Sequence, residues 1–508
     1  MQKNSLKVMA LIAVMGLTSS LTLISCSDDN TVTTTDTRHW TTDGGLKAAD
    51  NLLFNDNQIG NGDKEFVFTG KQTLKKGTYL LKGWVYVADG AELTIEPGTI
   101  IKGDKQTMAT IIVERGGKLI AQGTKDAPIV FTSNAPKGQR RPGDWGGLIL
   151  CGKAPHNAGQ AQIEGGPRTK HGGNDVHDNS GVLSYVRVEF AGYPFATDQE
   201  INGVTFGSVG DGTKVDHVQV SYSNDDSYEW FGGTVNCKHL IAFNGWDDDF
   251  DTDNGFSGHV QYGLSVRDPR IADKSQSNGF ESDNDASGST ATPTTSAVFS
   301  NMTFIGPKQI DSDFANTADY ITGGSLNPNN GSGLGKYQSA MQIRRGSRLN
   351  CINSVALGWP IGLIIDSEKG DTREQAKAGN IRLQNVWFGN MGVTGSDANK
   401  EYRDVLVNFV NKKPVADETQ QSYSTTFFLA QNGNRVATLS EMLLTGKSLF
   451  AGLRADFLPA AGSPLLNAAS FDGVSSNWFD KVSYIGAFST TADWLQGWTN
   501  FDPENTEY

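Results

Sequence analysis

The sequence is short of cysteine and of any spacing in which cysteines bind metal. It has 4 cysteines in 508 residues, and none of them forms a CxxC pair. This pattern excludes the common cysteine-based zinc sites. Cys151, Cys237 and Cys351 each lie in a strand-like apolar pattern, so we expect them to be small buried hydrophobic residues. Glycine-rich phosphate loops, dinucleotide fingerprints and nucleophile elbows are missing too, which argues against those enzyme classes.

Positive charge and helical periodicity are also scarce. The chain has 43 Lys and Arg against 56 Asp and Glu, a net charge of −13. Such an excess of negative charge argues against nucleic acid as a partner. Short alternating apolar stretches are separated by Gly and Asn instead of by amphipathic helices, with 59 Gly in all. That pattern favours an all-β chain over repeated βαβ units.

The beginning of the chain is typical of an exported protein. Two lysines precede an apolar run over 8–24, which predicts a secretory signal too short to span a membrane. The run ends in Leu-Ile-Ser-Cys26, which resembles a bacterial lipobox and implies cleavage before Cys26 and its acylation. Residues 27–30, Ser-Asp-Asp-Asn, resemble the acidic export signal of Bacteroidetes surface lipoproteins. The resemblance implies lipid anchoring in the outer membrane, facing the cell exterior; the alternative is a secreted protein with an accidental cysteine.

Internal repeats run through the rest of the chain. Residues 85–93 match residues 111–119, and residues 184–190 match residues 216–222. A further copy lies at 238–243, after a shorter period. Periods of this length with alternating apolar residues predict a solenoid whose coils bury their strands against each other.

Phrases within the repeat resemble a known fold. Leu-Thr-Ile-Glu-Pro-Gly-Thr at 93–99 and Gly-Ser-Pro-Leu at 462–465 look like coils of a right-handed parallel β-helix of the pectate-lyase-like kind. The stretch from 484 to 503 is similar to the terminus of a Bacteroidetes family of surface β-helix lipoproteins. The resemblance implies an all-β, right-handed parallel β-helix solenoid. It also suggests service to a TonB-dependent uptake system, whereas most members of that family have no assigned activity.

Two segments interrupt the repeat and complete the expected domain organisation. A cap is expected before the first coil, because an open sheet edge is a template for aggregation. Helical patterns at 398–409 and 439–449 predict a partly helical excursion. The expected segments are a lipoprotein signal peptide (1–25), acylated Cys and flexible tether (26–44), N-terminal cap (45–75), parallel β-helix (76–395), partly helical insertion or cap (396–456), and last coil with C-terminal tail (457–508).

The densest acidic stretch, residues 245–256, has five aspartates within seven positions. Aligning 217–233 with 239–255 places Asp225 on Asp247 and Asp226 on Asp248. Equivalent residues of a β-helix stack about 4.8 Å apart. We therefore predict columns of carboxylates, with the neighbouring aromatic residues pointing inward by strand alternation. The columns predicted from this alignment contain Glu229, Asp251 and Glu281, beside Asp253 and Asp283, and the inward residues are Tyr228, Phe250 and Phe280.

One interpretation of these columns is a cation site, with calcium as the expected ion. Residues 249–255 have oxygen ligands at alternate positions, as a calcium loop does. The stretch departs from the EF-hand pattern, because Gly255 takes the seventh place and Val260 stands where a bidentate acid belongs. Any site would therefore be assembled across coils. The candidate metal ligands are Asp249, Asp251, Asp253, Glu281 and Asp283.

A second interpretation is catalysis on a polysaccharide. The order Asn-Asp-Asp, Asp-Asp, Gly-His and Arg resembles the motif order of polygalacturonases, and paired carboxylates can serve as acid and base. Val260 and Pro269 depart from that pattern, and the acidic motif recurs, which a unique active site does not need. If the protein is an enzyme, it is expected to be a polysaccharide lyase or a polygalacturonase-like hydrolase. The candidate catalytic residues are Asp225, Asp226, Asp247, Asp248, His259 and Arg267.

A third set of residues is suited to binding sugars. Exposed tryptophans stack on sugar rings, but a tryptophan in a solenoid can instead be buried at the corner of a coil. Arginines can bind an acidic sugar, but they can instead form a basic turn that balances nearby acids. The repeated His217 and His239 are expected to stack as structural residues. The candidate ligand-binding residues are Glu229, Trp230, Trp246, Asp251, Glu281, Arg344 and Arg345.

Taken together, the sequence favours a surface-exposed outer-membrane lipoprotein that binds an extracellular ligand, a glycan in the first instance. A repeated acidic and aromatic motif forms a long groove suited to a polymer, whereas a unique motif would favour catalysis. The alternatives are a polysaccharide lyase or glycoside hydrolase, and a structural or adhesion surface protein. A solvated acidic face without any role is also compatible with the composition.

Overall fold

The computed structural model describes residues 49–163, 168–196, 199–447 and 449–508. The signal segment, Cys26, the whole tether and the first four residues of the expected cap lie outside the described residues. Within the described part of the chain, no helix combines the length and apolar character needed to span a membrane.

Parallel pairing between successive coils builds the molecule. The strands of one coil pair in parallel with the strands of the next, as in Tyr228–Phe231 with Phe250–Asp253, and the pairing repeats along two large sheets of the described residues. This confirms the expected all-β parallel β-helix. The eleven-stranded sheet contains, in order, Phe66–Phe68, Trp84–Val87, Thr110–Val113, Gly147–Cys151, Val204–Gly207, Tyr228–Phe231, Phe250–Asp253, Phe280–Ser282, Ser339–Ile343, Ile361–Ile365 and Val393–Ser396.

The sixteen-stranded sheet forms the other walls of the solenoid. Its strand Gly181–Glu189 pairs along its first half with Lys118–Gln122 and along its second half with Ile129–Ser133, so one long strand continues two shorter ones. The strands of this sheet are Leu53–Asn55, Gln58–Ile59, Lys71–Leu74, Thr78–Leu81, Glu92–Ile95, Ile100–Gly103, Lys118–Gln122, Ile129–Ser133, Gly181–Glu189, Lys214–Ser221, Asn236–Phe243, His259–Val266, Val298–Ile305, Asn350–Leu357, Leu383–Gly389 and Arg435–Val436.

Each long strand bends at one residue with left-handed backbone. His217 and His239 have φ of 58° and 54°, a conformation that turns the strand and that non-glycine residues adopt only where the surroundings enforce it. Their rings stack at 4.2 Å, and Asp216 Oδ1 lies 2.9 Å and 2.7 Å from their Nδ1 atoms. The predicted structural stack of these histidines is confirmed. The same corner column continues at Tyr185, Tyr262, Asn301, Asn353 and Asn385.

Stacked aromatic side chains fill the interior of the coils. Tyr228 and Phe250 are fully buried and lie parallel with 5.5 Å between ring centroids. Phe280 pairs directly with Phe250 in the next coil and is buried as well. The inward orientation predicted from strand alternation is therefore confirmed. Cys151, Cys237 and Cys351 are buried and free, as expected of small hydrophobic residues.

The segment expected to be a separate cap differs from that expectation. Within 45–75, the strands Gln58–Ile59, Phe66–Phe68 and Lys71–Leu74 pair in parallel with the following coil. Phe66 and Phe68 are buried in the core, so this segment is itself a coil of the solenoid.

The segment after the solenoid also differs from the sequence pattern. Instead of a helix over 398–409, the chain forms an antiparallel hairpin, because Leu406–Val410 pairs with Lys413–Asp417. The second predicted helix shortens to Leu439–Met442, which a capping box at Thr438 begins. The helix Tyr423–Ala430 was not predicted; its Phe428 covers the end of the core by stacking on Phe388 at 4.1 Å.

Short helices and hairpins lie in the loops between the coils. The C-terminal tail packs along the sixteen-stranded sheet. Trp494 and Trp498 in the tail contact His217 through their ring edges. The other helices are Pro307–Ile310 and Thr372–Lys377, with 3-10 turns at Gly324–Leu326, Pro464–Asn467 and Asp493–Leu495. The other hairpins pair Ala161–Gln162 with Lys170–His171, Pro194–Ala196 with Gln199–Glu200, and Leu444–Thr445 with Leu458–Pro459.

Candidate functional site

The predicted acidic columns lie on the outer face of the eleven-stranded sheet. Glu229, Asp251 and Glu281 are direct partners in adjacent parallel strands, and their inward neighbours are the stacked aromatic residues. The stacking predicted from the repeat is therefore confirmed. We call the following set the acidic ladder: Asp225, Asp226, Glu229, Asp247, Asp248, Asp251, Asp253, Glu281 and Asp283.

Loops flank the acidic ladder on both sides, and we call the ladder together with these loops the trough. On one side, Asn224 donates to Ser332 Oγ at 2.7 Å, and Ser275 donates to the carboxylate of Asp247. On the other side, Asn157 donates to the main-chain oxygen of Asn284 at 2.6 Å. These loops come from long insertions between coils, so the acids are half-buried or buried instead of fully solvated.

Burial and mutual repulsion raise the pKa of several carboxyl groups of the ladder. Removal from water is the largest cause and neighbouring carboxylates add to it, so the pKa of Asp226 and that of Asp251 rise well above their usual range. The same causes raise the pKa of Asp247 and of Asp248. For Asp253 the pKa rises to about 8. Carboxyl groups in this state bind protons or cations readily, because either relieves the repulsion.

Two overlapping groups of carboxylates are close enough to share a cation. One oxygen from each of Asp225, Asp226 and Asp247 lies within 4.8 Å of the others, and the same holds for Asp226, Glu229 and Asp251. Asp226 belongs to both groups, and its Oδ1 also accepts the main-chain N–H of Asp248 at 2.8 Å. Hard cations such as calcium take several oxygen ligands of this kind.

Buried polar atoms without partners surround the ladder. Among the described residues, Oδ1 of Asp247, Oδ1 of Asp251 and Oδ1 of Asn202 have no hydrogen-bond partner. The amide of Gln342 has none on either its oxygen or its nitrogen, although the residue is fully buried and lies beside Glu281 in the next strand. A buried polar atom without a hydrogen-bond partner costs free energy. These atoms would gain a partner if a ligand or a cation were bound in the trough.

Asp249 does not belong to the ladder, in contrast to its prediction as a metal ligand. It is fully buried, and its Oδ1 accepts from Arg267 Nη1 at 2.7 Å while its Oδ2 accepts from Ser265. Arg267 is fully buried as well and lies over the ring of Tyr337. This buried ion pair assigns both residues to the interior, so Arg267 is also removed from the expected catalytic group.

His259 lies away from the carboxylates of the ladder, in contrast to its prediction as a catalytic residue beside them. It begins a strand of the sixteen-stranded sheet, where its ring packs against Trp478 at 5.7 Å and Phe479 at 5.0 Å. Its Nδ1 lies 2.6 Å from Asn236 Oδ1. The structure therefore brings Asp225, Asp226, Asp247 and Asp248 together and places His259 on another face.

The two tryptophans proposed to stack on sugars are fully buried. Trp230 lies between Phe206 and Phe256 at centroid distances of 5.5 Å and 5.3 Å. Trp246 is buried in the hydrophobic cluster that includes tail residues such as Phe488 and Trp498, and its Nε1 donates to Gly333 O at 3.2 Å. Neither ring has a face open to a ligand, which corrects the expectation from sequence.

The two arginines neutralise one end of the ladder. Arg344 Nε donates to Asp283 Oδ1 at 2.8 Å and its Nη2 contacts Glu281, while Arg345 Nη1 donates to Asp283 Oδ2 at 2.6 Å. The pairing corresponds to a basic turn that balances nearby acids, which is the alternative to sugar binding. It also leaves Glu281, whose pKa burial raises to about 7, and Asp283 less suited to a metal than predicted. A cavity of about 160 Å³ adjoins this turn, lined by Arg344, Arg345, Asp366, Glu368, Lys369 and Asn399.

The sequence pattern does not predict two residues of the trough, Asn202 and Gln342. Asn202 lies one coil before Asp226, because Val204 pairs with Tyr228, and its Nδ2 donates to Glu229. Extending the repeat backwards by one coil would have found it. Gln342 gave no such signal, because a long insertion separates it from Glu281.

Comparison with known proteins agrees with this architecture. The model of the family described as pectate-lyase like beta helix domain matches residues 67–440, which is most of the chain. No curated protein and no solved structure matches the sequence. A match of this kind fits a polysaccharide-related protein. The chain belongs to the pectate-lyase-like β-helix domain family.

Proposed function

We propose that this protein binds an extracellular glycan through cations held by the acidic ladder. The observation that supports this most is the pair of overlapping carboxylate groups joined at Asp226, around which Asp247 and Asp251 each have a buried oxygen without a partner. Calcium is the expected ion, since it prefers several oxygen ligands and tolerates irregular geometry. A bound cation would offset the repulsion of the ladder and offer free coordination positions to sugar hydroxyls or acid groups.

The shape of the ladder suits a polymer. Its steps repeat at each coil, about 4.8 Å apart, over the consecutive strands Tyr228–Phe231, Phe250–Asp253 and Phe280–Ser282. A repeating row of oxygen ligands can contact successive units of a chain. Binding in this mode needs no unique catalytic residue, which agrees with the recurrence of the motif.

A glycan panel tests this proposal. Immobilised neutral and acidic polysaccharides are incubated with the full chain in calcium and in chelator, and both retention and chain shortening are scored. We expect retention in calcium that is lost in chelator and in Asp251→Asn, and kept in Asp319→Asn, which changes an exposed aspartate outside the ladder. If chelator leaves retention unchanged, glycan binding does not depend on a cation and the proposal is rejected.

Hydrolysis of a polysaccharide is the second candidate function, and the carboxyl pKa values favour it. Asp226 and Asp248 have a pKa well above the usual range, as a general acid requires at neutral pH. Asp225 and Asp247 lie beside them, with oxygens of Asp225, Asp226 and Asp247 within 4.8 Å. Chain shortening that disappears in Asp248→Asn would establish hydrolysis over binding. A lyase has less support, because Arg267 is paired with Asp249 in the interior.

We further propose that the protein is a lipid-anchored outer-membrane protein that faces the cell exterior and serves a TonB-dependent uptake system. The support is the lipobox that ends at Cys26 and the acidic residues at 27–30. Labelling with a radioactive fatty acid should depend on Cys26, so Cys26→Ser should be unlabelled. Protease treatment of intact cells should degrade the wild type, and full protection would contradict surface exposure.

A further inference from the structure

A second polar groove lies on a different face from the acidic ladder. It encloses about 390 Å³ between the first residues of several strands of the sixteen-stranded sheet and the C-terminal tail. The residues that carry the argument are His259, Asn350, Arg382, Ser475, Ser476 and Phe479.

The groove follows one column of the solenoid. His259 pairs with Val298, which pairs with Asn350 in the next coil. Arg382 continues the column, because Leu383 beside it pairs with Cys351. Three strand spacings therefore separate His259 from Arg382, or about 14 Å. This length fits two or three sugar units and is too long for a single ion to touch both ends.

Arg382 brings an uncompensated positive charge to one end of the groove. Its Nη1 donates to the main-chain oxygen of Asp472 at 3.1 Å, and among the described residues no carboxylate forms an ion pair with it. Burial alone lowers its pKa. In a chain with a net charge of −13, a half-buried guanidinium without an acid partner marks a place for an external anion.

The tail loop that faces Arg382 places hydrogen-bond donors, the hydroxyl groups of Ser475 and Ser476, in the lining of the groove. Gly473 has φ of +72°, a conformation that favours glycine, and a Cβ there would lie 2.8 Å from Arg382 Nη1, so the loop approaches the guanidinium closely. Ser475 and Ser476 follow in the lining of the groove. Hydroxyl groups of this kind can add hydrogen bonds to an anion that the guanidinium holds.

The opposite end of the groove offers an acceptor beside an aromatic wall. Asn236 Oδ1 accepts from the main-chain N–H of His259 at 2.9 Å and lies 2.6 Å from its Nδ1. Because an amide oxygen only accepts, Nδ1 carries the proton and Nε2 is left as the acceptor. Burial lowers the pKa of His259 and so favours this neutral form. Phe479 packs against the ring at 5.0 Å and forms part of the wall.

We propose that this groove binds a short oligosaccharide that carries one anionic group, a sulfate ester or a carboxylate. Arg382 holds the anionic group, and His259 Nε2 accepts a hydroxyl hydrogen two units away, next to Phe479. The site is independent of the acidic ladder, because it lies on another sheet and uses positive charge and hydrogen-bond donors instead of carboxylates.

Calorimetric titration in chelator tests the groove without any cation on the ladder, so its result is separate from that of the glycan panel. The probes are lactose, a sulfated lactose, an aldobiuronic acid and inorganic sulfate, each with wild type, Arg382→Gln and Arg403→Gln. Arg403 is an exposed arginine of the terminal hairpin region, paired with Glu401 and Glu418, and serves as the matched control.

We expect one or both anionic disaccharides to bind at least about tenfold more tightly than lactose and inorganic sulfate, since a charge-assisted hydrogen bond contributes about that much. Arg382→Gln should lose this preference and Arg403→Gln should keep it, and the tighter of the two disaccharides identifies the anionic group. Equal binding of lactose and its sulfated form would overturn the proposal. So would a preference that survives in Arg382→Gln, or binding of inorganic sulfate alone.

Discussion

Replacing one carboxylate in the middle of the acidic ladder should have opposite effects with and without calcium. Asp251 pairs with Glu229 on one side and Glu281 on the other. Arg344 already offsets the charge of Glu281, so of these two strand partners Glu229 repels Asp251 more strongly. Asp251→Asn keeps the size of the side chain and removes its charge, which isolates the electrostatic contribution.

The magnitude follows from the strand spacing. Two unit charges about 4.8 Å apart repel by about 3.5 kcal/mol at an effective dielectric near 20. The raised pKa of Asp251 means that binding a proton relieves part of this repulsion, so the repulsion is fuller at higher pH. We therefore expect Asp251→Asn to stabilise the fold by about 1 to 3 kcal/mol in chelator at a pH of about 8. In calcium the same variant should lose the stabilisation that the bound ion gives to the wild type.

Thermal unfolding in calcium and in chelator measures both effects. The wild type should unfold at a higher temperature in calcium than in chelator, and Asp251→Asn should show a raised midpoint in chelator with little further gain from calcium. Asp319→Asn changes an exposed aspartate outside the ladder and should behave as the wild type does. If Asp251→Asn unfolds at a lower temperature than the wild type in chelator and gains as much from calcium, then Asp251 neither repels its neighbours nor binds the ion.

Three further predictions concern the interior and the charge of the ladder. Arg267→Met should destabilise the fold by about 3–5 kcal/mol in urea unfolding, because Asp249 would stay buried without its partner; adding Asp249→Leu should restore most of the loss, and no recovery would argue against the ion pair. In chelator, the free energy of unfolding should fall as the pH rises from about 4 towards 8. Burial and charge raise the pKa of Asp253 to about 8 and that of Glu281 to about 7, so over this range the folded state binds more protons than the unfolded state. A stability that does not change with pH would contradict the raised pKa values. Phe250→Ala should cost about 3–5 kcal/mol, since the ring is fully buried in the aromatic stack, and a loss below about 1 kcal/mol would mean that the stack adds little.

Much of the fold and the columns of the ladder could be predicted because both depend on the repeat period. The alignment of neighbouring coils places Tyr228 on Phe250 and Glu229 on Asp251, and the strands pair in that register. Strand alternation also held the signal for Trp230, which is two positions from Tyr228 and therefore points inward with it. The prediction that Trp230 stacks on sugars is wrong because it does not follow strand alternation.

Residues at coil corners and in insertions could not be placed from the period. Asp249 lies at the corner just before its strand, where alternation does not hold, and it turns inward to Arg267. The loop that carries Ser332 returns over the trough from a distant part of the chain, beside Asn224. The hairpin Leu406–Val410 has apolar residues at spacings that a helix also uses, and only pairing with Lys413–Asp417 decides its structure.

Diffraction from crystals soaked in a lanthanide that replaces calcium is the most direct test of the cation-binding ladder. The anomalous signal locates the ion without any assumption about ligand or activity. We expect a strong peak within coordination distance of Asp226, Glu229 and Asp251, absent from crystals of Asp251→Asn. Crystals that diffract well but show no peak over the ladder, or a peak only elsewhere, would contradict it.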